Sequence, residues 1–356
     1  MKKHYREIDI LKGLAIAMVM LGHSIIVYPI DLNLIRWCGS LHSFVSTTHM
    51  PLFFMISGFC FGYRDLKDYA LKKFKRIVIP LLVFGVLHVF LGSIGGDLVN
   101  RGGGFLQSLP GVLTGKYLWF LHALLMIFII FPFIRKLFDN KLVGAIALIA
   151  LAALNIFVKF PLKVRMDALN IAFTVPNTFS LDSIREYLFF FAAGYYLKLR
   201  SREYPEVFKK SLKAVGTLPV WLVSLAVWFV IAFPNMIFGL PYASSWQPVL
   251  RGVYGIFVAF MGILCVTSFA ILIRRFFFSK LFEEAGKYSL QIFLFNGYLL
   301  TVTRWLVVSK LHIKIPAVII AANFFVLFGV SLVIIELVVK RVKLFRILTG
   351  IPEPKE

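Results

Sequence analysis

Long apolar runs separated by short polar and basic segments repeat along the whole chain. A helix of about 20 apolar residues, rising ~1.5 Å per residue, crosses the ~30 Å hydrocarbon core of a bilayer. The pattern therefore predicts an all-α, polytopic membrane protein with about ten transmembrane helices. The predicted spans are 10–29, 40–62, 77–95, 117–134, 142–160, 186–198, 214–233, 252–273, 288–308 and 315–338.

Composition and charge support this class. Of the 356 residues, 60% are hydrophobic and only 16% are charged. A net charge of +22 would indicate nucleic-acid binding in a soluble protein, but most of the 39 Lys and Arg residues fall in alternate connecting segments. By the positive-inside rule, this distribution predicts that both termini are cytoplasmic, and no nucleic-acid partner is expected.

The remaining global features predict one transmembrane domain over residues 1–356. The first apolar run has full spanning length and no small-residue cleavage site, so we expect it to be retained rather than removed as a signal peptide. No appended soluble domain is expected. Cys38, Cys60 and Cys265 are scattered without ligand-like spacing, so neither a disulfide framework nor a metal site is predicted.

The first span contains two residues that can be charged, Lys12 and His23. They are eleven positions apart, which is about three helical turns, so they share one stripe, and Asp9 lies one turn before Lys12. Ionisable residues within a membrane are costly and usually functional. We interpret the stripe as a path from the cytoplasm to a reactive imidazole.

The second predicted span contains His49, which counting from the cytoplasmic end places at a depth similar to that of His23. Pro51 is expected to kink the helix beside it, and Ser57 to allow close helix approach. These features are typical of a cavity wall. For His49 the alternative is a hydrogen-bonded packing residue.

Lys73 and Arg76 lie three residues apart immediately before the third span, and a regular α-helix would place them on one face. Cations at a membrane entrance can bind phosphates. The alternative is simple anchoring to anionic lipids.

Other polar residues are predicted to have structural roles. His88 and His122 are interpreted as packing histidines in apolar helices, and His4, His42 and His312 as terminal residues or residues near loops. Interhelical hydrogen bonds are expected from Asn155, Gln291, Asn296 and Asn323.

Several motifs occur in a characteristic order. They are Asp9-x-x-Lys12-Gly13 with Gly22-His23, His49-Met50-Pro51-Leu52-Phe53-Phe54 with Ser57-Gly58-Phe59, Lys73-x-x-Arg76-Ile77 with Pro80, Leu118-Trp119-Phe120-Leu121, and Gly286-Lys287-Tyr288-Ser289-Leu290. Together they resemble the acyltransferase-3 family of integral membrane proteins, and the resemblance covers essentially the whole chain.

The resemblance implies a ten-span O-acyltransferase, a type found mostly in bacteria. Such enzymes move an acyl group, often acetyl, from cytoplasmic acyl-CoA to a hydroxyl of an extracytoplasmic or lipid-linked glycan. The implied partners are therefore membrane lipid, acyl-CoA (acetyl-CoA first) as donor, and a glycan or glycolipid acceptor. The implied location is the cytoplasmic (inner) membrane of a bacterium.

The resemblance also implies residue roles. Lys12 and His23 match the family's basic residue, ten-residue spacer and histidine, whereas Lys73 and Arg76 match an Arg-x-x-Arg motif with Lys in its first position. The ninth-span motif often ends in histidine, but this chain has Asn296 there. The implied assignments are catalysis for His23 and His49, coenzyme A binding for Lys12, Lys73 and Arg76, and support from Asp9 and Ser57.

We expect His23 to act as a general base, with a covalent acyl-histidine as the open alternative. Two other functions remain possible from sequence alone. One is an exporter or flippase of a polysaccharide intermediate, which inverted repeats would favour. The other is a non-catalytic assembly or sensory protein, which would leave Lys12 and His23 unexplained.

Overall fold

The computed structural model describes residues 5–94, 105–158, 163–166, 171–174, 178–233 and 248–352. Regular structure in these ranges is almost wholly helical, as predicted. The exception is a hairpin in which β1 (Lys163–Met166) pairs antiparallel with β2 (Ile171–Thr174), with Lys163 opposite Thr174.

The α-helices of the described ranges follow one another along the chain. The first nine are α1 (Arg6–Ile25), α2 (Arg36–Ser46), α3 (His49–Phe59), α4 (Leu66–Lys73), α5 (Ile79–Ile94), α6 (Phe105–Ser108), α7 (Pro110–Leu113), α8 (Trp119–Ile134) and α9 (Lys141–Phe157). They are followed by α10 (Leu181–Glu203), α11 (Pro205–Val215), α12 (Leu218–Ala232), α13 (Pro248–Ile273), α14 (Ser279–Lys287), α15 (Ser289–Arg304), α16 (Pro316–Phe325), α17 (Ser331–Ile334) and α18 (Lys343–Leu348). Short π-helices occupy Phe74–Val78, Trp305–Lys310, Val326–Val330 and Ile335–Val339, and 3-10 turns occupy Arg135–Phe138 and Thr178–Ser180.

Six helices in the described ranges are long and apolar enough to cross a membrane. They are Arg6–Ile25, Leu66–Ser93, Trp119–Phe138, Val249–Ile273, Ser289–Lys310 and Pro316–Val339. The pair α11 and α12, bent by 71°, would make a seventh. The predicted count of ten and the predicted sides of the termini are thus not confirmed.

The other predicted spans correspond to helices that are broken, short or more polar. Span 40–62 is divided between α2 and α3, span 142–160 corresponds to the 17-residue α9, and span 186–198 lies inside the charged α10. Residues 95, 159 and 160, at the ends of two predicted spans, lie outside the described residues.

The chain divides into two compact units. Unit 1 comprises Met1–Cys60 and Ala193–Ile335, and unit 2 comprises Phe61–Ala192 and Glu336–Glu356. The expectation of one acyltransferase domain over residues 1–356 stays a prediction.

Unit 1 is organised around α1, which contacts α2, α3, α14, α15 and α16. Its crossing with α14 depends on two glycines. A Cβ added to Gly13 would lie 1.8 Å from the carbonyl oxygen of Phe282, and one added to Gly286 would lie 1.7 Å from that of Asp9. Because these are backbone atoms, the two helices can approach this closely only without side chains at both positions.

Ion pairs fix the beginning of α1. Arg6 Nε lies 2.6 Å from Glu283 Oε2 on α14, and Arg274 Nη1 lies 2.6 Å from Glu7 Oε1. The hydrogen bond from the Arg6 guanidinium lowers the pKa of the Glu283 carboxyl. These ion pairs therefore fix the position of the N-terminal end of α1 relative to α14.

The break between α2 and α3 occurs at Thr47 and Thr48. Pro51 has no N–H to donate to Thr47, and its ring clashes with a continuing helix, so α2 cannot run on through this point. The predicted kink beside His49 is confirmed and is a complete interruption. Thr48 is buried where Gly262 leaves room for it, since a Cβ at Gly262 would lie 1.8 Å from Thr48 Oγ1.

Unit 2 has an aromatic core. The ring centroids of Phe131 lie 5.1 Å from Phe61 and 4.8 Å from Phe191. Tyr69 on α4 donates a 2.7 Å hydrogen bond to the carbonyl oxygen of Phe128 on α8. This core supports the π-helical turn that leads from α4 into α5.

Candidate active site

His23, close to the end of α1, meets Asn296 of α15 in unit 1. The Asn296 side chain is 6% exposed, and its Nδ2 donates a hydrogen bond to His23 Nδ1. The two residues are 273 positions apart in sequence. The residue at the end of the ninth-span motif is thus a direct partner of the first-span histidine.

This contact governs the tautomer of His23. When Nδ1 accepts from the amide, the proton of the neutral ring is on Nε2. Asn296 Oδ1 is buried without a hydrogen-bond partner among the described residues. Rotation of the amide by half a turn would bring this oxygen to Nδ1–H and free Nε2 as a base. One asparagine can therefore stabilise either neutral form of the imidazole.

His49, the first residue of α3, is held by its own local backbone. Its Nδ1 lies 2.8 Å from the carbonyl oxygen of Val45. Because a carbonyl only accepts, Nδ1 carries the proton and Nε2 of the neutral ring keeps its lone pair. The break between α2 and α3 thus presents an imidazole with a defined basic nitrogen.

A third histidine, His42 on α2, joins this group. It interacts electrostatically with both His23 and His49, and His23 interacts with His49 in the same way. From the sequence, His42 was interpreted as a residue near a loop and was not included in the predicted site. The available signal was its position inside predicted span 40–62, seven residues before His49.

The charged end of the predicted stripe is also in unit 1. Lys12 Nζ lies 3.2 Å from Asp9 Oδ1, which is the expected i, i+3 pair, and Asp9 is 6% exposed. Gly286 packs against Asp9, so the first-span and ninth-span motifs are in contact. Along α1, Lys12 and His23 are separated by roughly 16 Å.

The other predicted site residues have different surroundings. Ser57 lies in the last turns of α3 in unit 1, partly buried and two turns after His49. Lys73 and Arg76 belong to unit 2. Lys73 Nζ lies 3.0 Å from the centroid of the Phe128 ring, whereas Arg76 is exposed. The helix changes from α to π between them, so the single face expected of a regular α-helix is not formed.

Across the described ranges, no group of three or more His, Cys, Asp or Glu side chains is arranged to hold a metal ion. The polar groups at the candidate site in unit 1 are instead imidazoles, the Asn296 amide and the Lys12–Asp9 pair. Such a set can transfer protons and orient a substrate hydroxyl.

A family model described as an acyltransferase domain, that of the acyltransferase-3 proteins, matches residues 5–338. No curated protein matches the chain, and no solved structure does.

Proposed function

The chain belongs to the acyltransferase-3 family and is a membrane acyltransferase, and we propose that it transfers an acyl group, acetyl first, from acyl-CoA to a glycan hydroxyl. The acceptor would be an extracytoplasmic or lipid-linked glycan at a bacterial cytoplasmic membrane. One observation carries the proposal. In a family of acyltransferases, an imidazole within the first span is held by a buried amide from another helix.

In the proposed reaction, His23 Nε2 removes the proton of the acceptor hydroxyl as its oxygen attacks the thioester carbonyl carbon. The new C–O ester bond forms, the C–S bond breaks, and His23 returns the proton to the coenzyme A sulfur. In this reaction the Asn296 amide is rotated by half a turn from its position in the structure, so that His23 Nδ1–H donates to Asn296 Oδ1 and Nε2 is the base. His49 Nε2 offers a second acceptor that can hold the incoming hydroxyl.

We further propose that Lys12, Lys73 and Arg76 bind the phosphates of coenzyme A. Lys12 is oriented by Asp9 and lies on the same helix as His23, so donor binding and chemistry would share one rigid element. Arg76 is exposed and can form bidentate phosphate contacts. Ser57 would line the acceptor side of α3.

The test is incorporation of isotope-labelled acetyl from acetyl-CoA into glycans and glycolipids of membranes that contain the protein. We expect labelled product with the wild type and its loss with His23→Ala. The control is His312→Ala, which changes an exposed histidine. Equal labelling with His23→Ala would remove His23 from catalysis. Glycan relocation without any label would instead favour the exporter.

A further inference from the structure

Unit 2 contains a serine–histidine pair that the proposed reaction does not use. Ser180 Oγ lies 2.9 Å from His122 Nδ1, and both residues are 2% exposed. His122 Nε2 lies 3.0 Å from the carbonyl oxygen of Leu113. Two consecutive hydrogen bonds therefore join a hydroxyl, an imidazole and a third group that orients the imidazole.

The third group fixes the direction of the hydrogen bonds. Because the Leu113 carbonyl only accepts, Nε2 of His122 carries the proton of the neutral ring. Nδ1 is then an acceptor, and the Ser180 hydroxyl must donate to it. This is the arrangement of a nucleophile joined to its general base, with the base oriented by a further acceptor.

Backbone with positive φ surrounds the pair, and it is strained at the three residues that are not glycine. Six residues of the described ranges have positive φ, and four of them, Gly115, Leu118, Phe179 and Ser180, lie in the two turns that hold it. At Ser180 φ is 53°, whereas a serine before a helix normally has the extended backbone of a cap. Strain of this kind persists only where surrounding contacts enforce it, and it concentrates at functional sites.

Specific contacts enforce this geometry. The Phe179 N–H donates a 2.7 Å hydrogen bond to the Thr114 carbonyl oxygen, next to the carbonyl that orients His122. A Cβ at Gly115 would lie 2.5 Å from Ser180 Oγ and 2.8 Å from His122 Nδ1. A larger residue at position 115 would therefore intrude on the pair.

The pair lies just beneath the protein surface. Leu113 is 64% exposed, Phe179 is 51% exposed and Trp119 is 39% exposed, and each is within three residues of a member of the pair or is its hydrogen-bond partner. On the topology that the basic residues predict, both turns face the extracytoplasmic side. That is the side of the expected acceptor.

We propose that Ser180 is an acyl-carrying nucleophile activated by His122, an inference that rests on the acyltransferase function proposed above. Ser180 Oγ attacks the carbonyl carbon of the acyl thioester while His122 Nδ1 takes its proton. The C–S bond breaks, and the thiolate receives that proton. A glycan hydroxyl then attacks the carbonyl carbon of the serine ester while His122 Nδ1 takes the hydroxyl proton. The C–Oγ bond breaks, His122 passes that proton to Ser180 Oγ, and the acylated glycan leaves.

The experiment uses the full-length protein in membranes with isotope-labelled acetyl-CoA, and it measures peptide mass and glycan labelling in the same samples. Without acceptor, we expect labelled acetyl on the peptide that contains Ser180. The adduct should be absent from Ser180→Ala and reduced on the order of a hundredfold in His122→Gln, as expected on loss of a general base. Ser180→Cys should restore an adduct, now a thioester cleaved by neutral hydroxylamine.

Ser268→Ala is the matched control, because Ser268 is a buried serine whose hydroxyl donates only to a backbone carbonyl, that of Val215. It should leave the adduct unchanged. If folded Ser180→Ala forms labelled glycan at the wild-type rate, the inference is overturned and the proposed function stands. The same holds if folded Ser180→Cys forms labelled glycan at that rate while its cysteine carries no adduct. Absence of labelled glycan and of adduct in the wild type would overturn both.

Discussion

Two imidazoles in apolar helices, the partly buried His23 in unit 1 and the buried His122 in unit 2, show how surroundings assign different chemistry to the same residue type. His23 is held by an amide, which can donate or accept and therefore leaves either neutral tautomer available. His122 is held by a carbonyl and a hydroxyl, which permit one tautomer only. The first site can exchange its proton with different partners, whereas the second is set to receive the proton of one serine.

The largest expected effect comes from removing either imidazole. His23→Ala and His122→Gln should each reduce acyl transfer by ~10²–10⁴-fold, and the double variant should be no slower than the worse single variant. Successive steps of one reaction share a single rate-limiting step, so losses that do not multiply would place both groups in one reaction, and losses that multiply would show that the two groups act independently. Initial rates of glycan labelling, normalised to folded protein, would measure these losses. A wild-type rate for folded His122→Gln would reduce that histidine to a packing residue.

The amide at His23 gives the next largest effect. Asn296→Ala should slow transfer on the order of ten- to a hundredfold through kcat, because the imidazole loses its orienting partner. Asn296→Asp offers only acceptors when ionised and favours Nδ1–H, so it should keep much more activity than Asn296→Ala. If His23 instead acts as a donor through Nε2–H, Asn296→Asp would be the slower variant.

Donor binding provides a smaller effect that separates phosphate recognition from lipid anchoring. Arg76→Ala should weaken coenzyme A binding on the order of tenfold or more, and Lys73→Ala should do so less because its ammonium already packs on Phe128. The matched control is Lys72→Ala, which removes an exposed cation paired with Asp68 at 3.6 Å. Titration of the purified variants with acetyl-CoA would measure the affinities. Equal values for all three variants would favour anchoring to anionic lipid.

The smallest effect tests how α1 holds the unit 1 site. Gly286→Ala should lower the free energy of unfolding by ~1–3 kcal/mol, since the added methyl would meet the Asp9 backbone. Gly255→Ala is the helical control, because a Cβ there has nothing within 4 Å and should be neutral or slightly stabilising. Thermal unfolding in detergent would compare them. Equal stability of the two variants would mean that α14 moves away at little cost.

Much of the local structure could be predicted from the sequence. The apolar runs give the helices, Pro51 gives the break before His49, and the i, i+3 spacing gives the contact of Lys12 with Asp9. Each of these depends on neighbours within one or two turns of the chain. The family resemblance was equally readable, because its motifs are contiguous and occur in order.

Prediction was weaker where an outcome depended on the exact helix type or on small differences in apolar length. The sequence predicted one face for Lys73 and Arg76, but a π-helical turn between them gives each different surroundings. It also predicted ten spans, whereas six described helices, or seven with the bent pair, meet the requirements of length and apolar character.

Partners distant in sequence were decided by tertiary structure alone. Asn296 was expected to form an interhelical hydrogen bond, and this is confirmed. Only the packing of α15 against α1, however, makes His23 its partner. Likewise, His122 was expected to be a hydrogen-bonded packing histidine, but only the turn at Ser180 supplies its hydroxyl partner, 58 positions away in sequence. Periodicity determines which residues share a face of one helix. The rotation of that helix, and therefore what the face meets, depends on the packing of all its neighbours.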